Sequence, residues 1–350
     1  MIKNSIKNLA WDVSEETYRA DNAISYSSLS QFDREGVSCI PHLKDKKDSQ
    51  ALRFGSLTDT LMTEPENLDQ KFVIANFIRP TDVIVKMVNN IWNNCDKTIT
   101  SLDKVNPELI LLCINEENYQ TNWKDVTRIN KIIEEGQEYF NLLGLSENKI
   151  LMNQYDFNSA EQCVRVLKTH GFTSKYFTNS PFQTHIEAHF QLKFRLSLGK
   201  YAIRCMLDRV IVDHEQKTIQ PLDLKTTGKS EEGFEESFEG WRYYLQSSMY
   251  SYILRKVCEK DEYFKDFKVL PFIFVCINRY NLKPLAWIDE NSIYDRSVRK
   301  NKEGKILKPW YNILEELIWH IENNKLDYSF QSYKAGGLRK LTNLTLVNNG

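Results

Sequence analysis

Asp223 and Lys225 carry opposite charges two positions apart. On an extended strand alternate side chains share a face, so a carboxylate and an ammonium at this spacing address one site. A turn centred between Glu215 and Gln216 sets Asp208, on the preceding segment, across from Asp223. A turn centred between Ser197 and Leu198 likewise sets Glu187 across from Asp208, and directly opposed Cβ atoms lie roughly 4.5–5.5 Å apart. Three carboxylates in a row repel one another unless a cation lies among them. Their hard oxygens favour Mg2+ or Mn2+ over zinc, so the spacing points to a divalent metal site. A register slip of one residue would turn Asp208 to the opposite face, and Pro221 marks an edge strand or a bulge. The alternative reading is a surface hairpin with solvated acids.

Gln246 and Tyr250, four apart on a helical stretch, share one face and can present an amide and a hydroxyl to the same cleft. Tyr243, Tyr244, Tyr250 and Tyr252 fit equally well as packing residues. Gly228-Lys229-Ser230 ends like a phosphate-binding loop, but Asp223 stands where that loop needs its first glycine, which argues against a P-loop ATPase. His185 and His189 share a strand face with Glu187 but have no evident third zinc ligand, and read as strand residues. The seven cysteines are scattered without a CxxC pair, which argues against zinc or an iron–sulfur cluster and for reduced, mostly buried thiols.

The elements that must position these groups follow from periodicity. Helical spacing covers Gly55 to Thr63, Val83 to Asn93, Asn106 to Ile114, Val126 to Leu143 and Ser159 to Thr169. Period-2 alternation then predicts three antiparallel strands over Gln183 to Lys193, Tyr201 to Val212 and Thr218 to Lys225. A helix over Phe238 to Glu259, a buried strand over Val269 to Ile277 and an amphipathic helix over Trp310 to Asn323 complete the order.

With 350 residues, 41% hydrophobic, 12% aromatic and 27% charged, the chain can bury a core without disulfides or a structural metal. No stretch approaches the roughly 20 apolar residues of a membrane span, and the first residues lack the apolar core of a secretory signal; a cytoplasmic protein is expected. The net charge of -1 leaves nucleic acid open, because local clustering decides. Arg296, Arg299, Lys300, Lys302, Lys305 and Lys308 form one basic stretch and Lys334, Arg339 and Lys340 a second, either DNA-contacting or solvated.

These residues, in this order, resemble the exonuclease VIII-like and RecB-like branch of the PD-(D/E)XK nucleases, which includes bacteriophage recombination exonucleases. The likeness runs from about Ile24 to Phe330. Ile24-Ser25-Tyr26-Ser27-Ser28-Leu29-Ser30 is similar to the family's opening segment, and Phe54-Gly55-Ser56-Leu57-Thr58-Asp59 to its first core helix. Glu187 matches the early strand acid and Asp208 the motif II aspartate. Asp223-Leu224-Lys225 matches motif III, and Gln246 with Tyr250 the QxxxY element. Many relatives carry a metal-binding His where Asp59 stands, and the iron–sulfur cysteines of some are missing.

The resemblance implies an α/β fold: a PD-(D/E)XK core of an α-βββ-α-β mixed sheet flanked by helices, with a helical N-terminal subdomain. The expected division is residues 1–175 helical, 176–330 nuclease core and 331–350 tail. It implies Mg2+ or Mn2+ held by Asp59, Asp208, Asp223 and the Leu224 carbonyl, with Lys225 acting on the reacting phosphate, Glu187 in support, and Gln246 and Tyr250 positioning. The implied activity is double-strand DNA exonuclease in recombination, alongside a single-strand annealing protein and as a ring-like homo-oligomer, in a bacterial or phage-infected cytoplasm. An endonuclease of the same fold and a catalytically silent DNA-binding protein are the competing readings.

Overall fold

The computed structural model describes residues 4–45, 48–146, 149–178, 182–294 and 298–338. A seven-stranded mixed sheet stands between helices. Its strands are β1 (Ile24–Ser25), β2 (Ile186–Leu198), β3 (Tyr201–Asp213), β4 (Thr218–Thr227), β5 (Lys268–Val269), β6 (Phe272–Asn278) and β7 (Pro284–Asp289). The neighbours run β1, β3, β4, β6, β7, with β2 also on β3 and β5 also on β4. The β2–β3, β3–β4 and β6–β7 pairs are antiparallel, and β4–β6 is parallel. The main helices are α1 (Tyr26–Glu35), α2 (Gln50–Thr63), α3 (Asp82–Asn94), α4 (Pro107–Glu116), α5 (Asp125–Leu145), α6 (Gln154–Thr169), α7 (Glu231–Gly240), α8 (Tyr243–Cys258) and α9 (Trp310–Asn323). The parallel β4–β6 pair needs a crossover, and α7 and α8 supply it.

Both sheet faces are covered, which is why β6 reads as an uninterrupted apolar run. On one face Phe272 and Phe274 pack with Leu245, Met249 and Ile253 of α8. On the other, Ile273, Val275 and Ile277 meet Phe54 and Leu57 of α2 and Leu167 of α6. A separate apolar cluster joins α3, α4 and α5 through Ile84, Val88, Ile110, Ile114, Ile132 and Phe140. Ser25, Ser49, Asn153 and Ser230 cap α1, α2, α6 and α7 by accepting from first-turn N–H groups.

Two expected elements prove to be divided. The helix expected over Phe238 to Glu259 is broken at Trp241-Arg242, where Arg242 takes φ 62°, so α7 and α8 are distinct. The strand expected over Val269 to Ile277 is cut by Pro271, which has no N–H for a ladder. A short parallel pair, Phe72–Ala75 with Ile150–Asn153, was not foreseen by the periodicity.

The β2–β3 hairpin corrects a register. Leu198 pairs with Tyr201, so the turn is Gly199-Lys200, with Gly199 at φ 64°, where glycine carries no Cβ penalty. The expected turn lay two residues earlier. Glu187 consequently pairs with Val212 and not with Asp208.

Candidate active site

The site lies where two strands part. The β3–β4 ladder runs from Asp213↔Thr218 to Arg209↔Leu222, the register implied by a turn between Glu215 and Gln216. Beyond Leu222, β4 has lost β3 on that edge and is paired only on its other edge, with β6, from Leu222↔Ile273 to Thr227↔Asn278. The edge of β3 away from β2 is taken by β1 at Ile203 and Arg204 and by β4 from Arg209 onward. Among the described residues no strand pairs with Cys205 to Asp208 on that edge. Asp208 and Asp223 therefore sit at a fork in the sheet.

The fork is built locally. Ile203, Cys205 and Leu207 face the same core as Val210 and Val212, so the alternation of β3 changes phase between Leu207 and Val210. Gln191, between the Phe190↔Arg209 and Leu192↔Leu207 pairs, has φ 51°. This paired irregularity frees Asp208 from the regular face pattern, and its Oδ2 accepts a hydrogen bond from the Leu224 N–H at 2.8 Å. A carboxylate takes the place of the ladder partner that Leu224 has lost.

Asp223 is 4% exposed. Its Oδ1 accepts from Gln246 Nε2 at 2.5 Å, and its Oδ2 lies 2.5 Å from Lys225 Nζ. Lys225 also stands over the Tyr243 ring at 4.8 Å, a cation–π contact. Burial works against the ammonium, but Asp223 first, then Tyr243 and Asp208, hold its pKa above the ordinary lysine value. Gln246 is fixed by this bond, while its Oε1 is buried without a hydrogen-bond partner among the described residues.

Asp59, on α2, belongs to the same electrostatic group. Burial and then Asp223 push its carboxyl up to about 7, with Lys225 opposing. Burial, then Asp223 and Asp59, raise Asp208 well above the carboxylate range. Tyr250, one turn beyond Gln246, is buried with its ring edge-on to Tyr26 and Phe272 at 6.4 and 6.3 Å. Its geometry is that of a packing residue beside the acids. Tyr243 was read in the sequence as a packing residue, although its place three residues before Gln246 puts it on the same helix face.

Glu187 is elsewhere. Its partner Val212 lies four residues beyond Asp208 on β3, roughly 13 Å along the strand. The buried carboxylate accepts from Ser5 Oγ and from the Ile6 N–H at 3.1 Å, and pairs with His189 Nε2 at 2.5 Å and His214 Nε2 at 2.9 Å. Burial opposes its charge, but these hydrogen bonds, His189 first, bring its pKa down to about 2. Glu187 anchors the N-terminal segment to the sheet and is not the third acid of the fork.

Half of the basic stretch is spoken for within the chain. Arg299 reaches both Asp289 oxygens, at 2.8 and 2.9 Å, and Ser248 Oγ at 2.8 Å. It closes a buried ion pair, which corrects its reading as a DNA contact. Lys302 pairs with Glu235 and Lys308 with Glu316. Lys300 and Lys305 are exposed. Arg296, Arg339 and Lys340 lie outside the described residues.

Among the described residues no three His, Cys, Asp or Glu side chains stand at metal-binding spacing. The donor chemistry nevertheless suits a hard cation. Burial and mutual repulsion raise the proton affinity of Asp59 and Asp208, and the orphaned Gln246 Oε1 adds a neutral oxygen beside Asp223. Asp223 is held by Lys225 and Gln246.

No family model matches this sequence, and no curated protein is found to match it. Among solved structures, a candidate exonuclease from Eubacterium rectale aligns over 94% of this chain and 89% of its own, at 13% identity and a TM-score of 0.38. A likeness of this depth says nothing of chemistry. Among the described residues no helix is long and apolar enough to cross a membrane.

Proposed function

We propose that the chain is a metal-dependent deoxyribonuclease with a PD-(D/E)XK core, most specifically a double-strand DNA exonuclease of recombination or DNA-end processing. The observation that carries this reading is the fork itself, where Asp208, Asp223 and Lys225 meet with Asp223 anchored by Gln246. Two acids and a lysine converging where a sheet opens suit phosphodiester hydrolysis, which needs a charge-stabilising cation next to carboxylates.

Asp208, Asp223, Asp59 and the Leu224 carbonyl are the groups that would hold Mg2+ or Mn2+. When bound, the ion supplies Lewis-acid polarisation of the phosphate and lowers the pKa of a coordinated water. Lys225 stabilises the charge that builds on the phosphorus oxygens, and its raised pKa keeps it protonated for that task. Gln246 orients Asp223.

The test is cleavage of linear against covalently closed duplex DNA with Mg2+. Loss of linear DNA alone supports an exonuclease, while cutting of closed circles supports an endonuclease. That no three His, Cys, Asp or Glu side chains stand at metal-binding spacing among the described residues is what favours the silent DNA-binding reading. DNA binding without cleavage in either Mg2+ or Mn2+ would support it. The expected partners, a single-strand annealing protein and further copies of this chain, belong to the same proposal.

A further inference from the structure

A cleft of about 400 Å3 opens at the carboxyl ends of the parallel strands β4 and β6. It adjoins the fork: Thr227, two residues beyond Lys225, lines it, and so does Cys276, the ladder partner of Lys225. Its remaining walls come from the start of α7, the β6–β7 turn and the segment after α6. Open sheets bind ligands at this end of their strands.

Two features of the lining point to a ligand. Lys229 and Lys283 are both exposed, and neither has an ion-pair partner among the described residues. Glu231 is the acid among the lining residues, so the cations outweigh it. Two aromatic surfaces accompany them. Phe172 is 63% exposed, although the hydrophobic effect favours covering it. Trp287 is held flat by Phe234, with ring centres 5.2 Å apart and planes at 28°. Ammonium groups without ion-pair partners among the described residues, beside the exposed Phe172 ring and the half-buried Trp287, match a chain of phosphates and bases.

Size narrows the class. The volume lies in the range of small-ligand sites, and a sphere of that volume is roughly 9 Å across. A duplex is too wide, since its major groove alone is about 12 Å wide. We propose that this cleft holds unpaired nucleotides of the strand being processed, with phosphates at Lys229 and Lys283 and a base on Phe172. The inference rests on the nuclease reading and adds that the strand leaves the duplex before or as it reaches the fork.

The test measures anisotropy of a labelled short DNA single strand, and of a blunt duplex of the same sequence, in EDTA across a salt series. The single strand is expected to bind more tightly than the duplex. Replacing both lysines (K229A with K283A) should lower the slope of log affinity against log salt by about 1.4, at about 0.7 per phosphate contact. Phe172→Ala should weaken single-strand binding roughly tenfold without altering that slope. Circular dichroism checks that each variant is folded. Unchanged affinity and slope in the double variant, or a duplex bound as well as the single strand with Phe172→Ala silent, would overturn the proposal. Cleavage by the parent protein is scored separately. Binding that depends on the cleft in a protein that cuts no DNA preserves the cleft and removes the nuclease reading. Cutting and binding that ignore the cleft variants remove the cleft alone.

Discussion

At the scale of single residues, charge and burial separate groups that looked alike in the sequence. Asp223 and Lys225 were legible because a period of two fixes which strand residues share a face, whatever the neighbours do. Glu187 was not, because its place depends on a turn whose position the residue types leave open. Ser197-Leu198-Gly199 reads as a turn, yet only Gly199 with Lys200 forms one. Glu187→Gln should therefore act on stability: it removes the charged acceptor of the Ser5 hydroxyl and the Ile6 N–H and costs on the order of 1–3 kcal/mol near neutral pH. Hydrogen exchange at the Ile6 amide should speed up, and an unchanged rate would contradict the anchor. Because the folded pKa of Glu187 is depressed to about 2, its contribution is present above the ordinary value of 4.5 and is lost as pH falls through about 2. Asp59 has the opposite sign. With its folded pKa raised from 3.8 to about 7, stability is fullest below the ordinary value and falls as pH rises through about 7. A cation among the acids offsets that loss, so Mg2+ should raise Tm more at about pH 8 than at about pH 5. An equal shift at both would place Mg2+ elsewhere.

At the scale of elements, the order of helices and strands followed from hydrophobic period, while the breaks did not. Pro271 and the left-handed Arg242 divide stretches whose apolar pattern runs on without interruption. The fork in the sheet was likewise invisible, since it depends on where β3 parts from β4, after the Arg209↔Leu222 pair. The basic stretch shows the limit of counting charges: Arg299 looked like a phosphate ligand, but lies against Asp289 with both side chains nearly covered. Removing one member of a buried pair leaves the other uncompensated, so Arg299→Ala should cost about 3–5 kcal/mol in urea unfolding. The salt slope of DNA binding should stay as in the parent protein. A reduced slope with unchanged stability would return Arg299 to the DNA surface.

At the scale of the molecule, α2 and α8 cover opposite faces of the sheet and deliver Asp59 and Gln246 toward the same fork from two sides. That convergence could not be read from local spacing, because it joins residues nearly two hundred positions apart; for Asp59 it entered only through the family resemblance. The net charge of -1 gave no hint of a nucleic-acid partner, and the proposed cleft rests on where Lys229 and Lys283 lie, without ion-pair partners among the described residues, and not on the sum. The proposed function requires the fork to perform chemistry. The most direct test compares single-turnover cleavage of linear duplex DNA with Mg2+ by the parent protein and by Lys225→Ala, with Mg2+ and DNA binding measured alongside. Lys225→Ala should retain both ligands and cleave on the order of 10²–10³ more slowly, because it loses one preorganised charge and keeps every proposed metal ligand. Cleavage at the parent rate by folded Lys225→Ala would contradict the account.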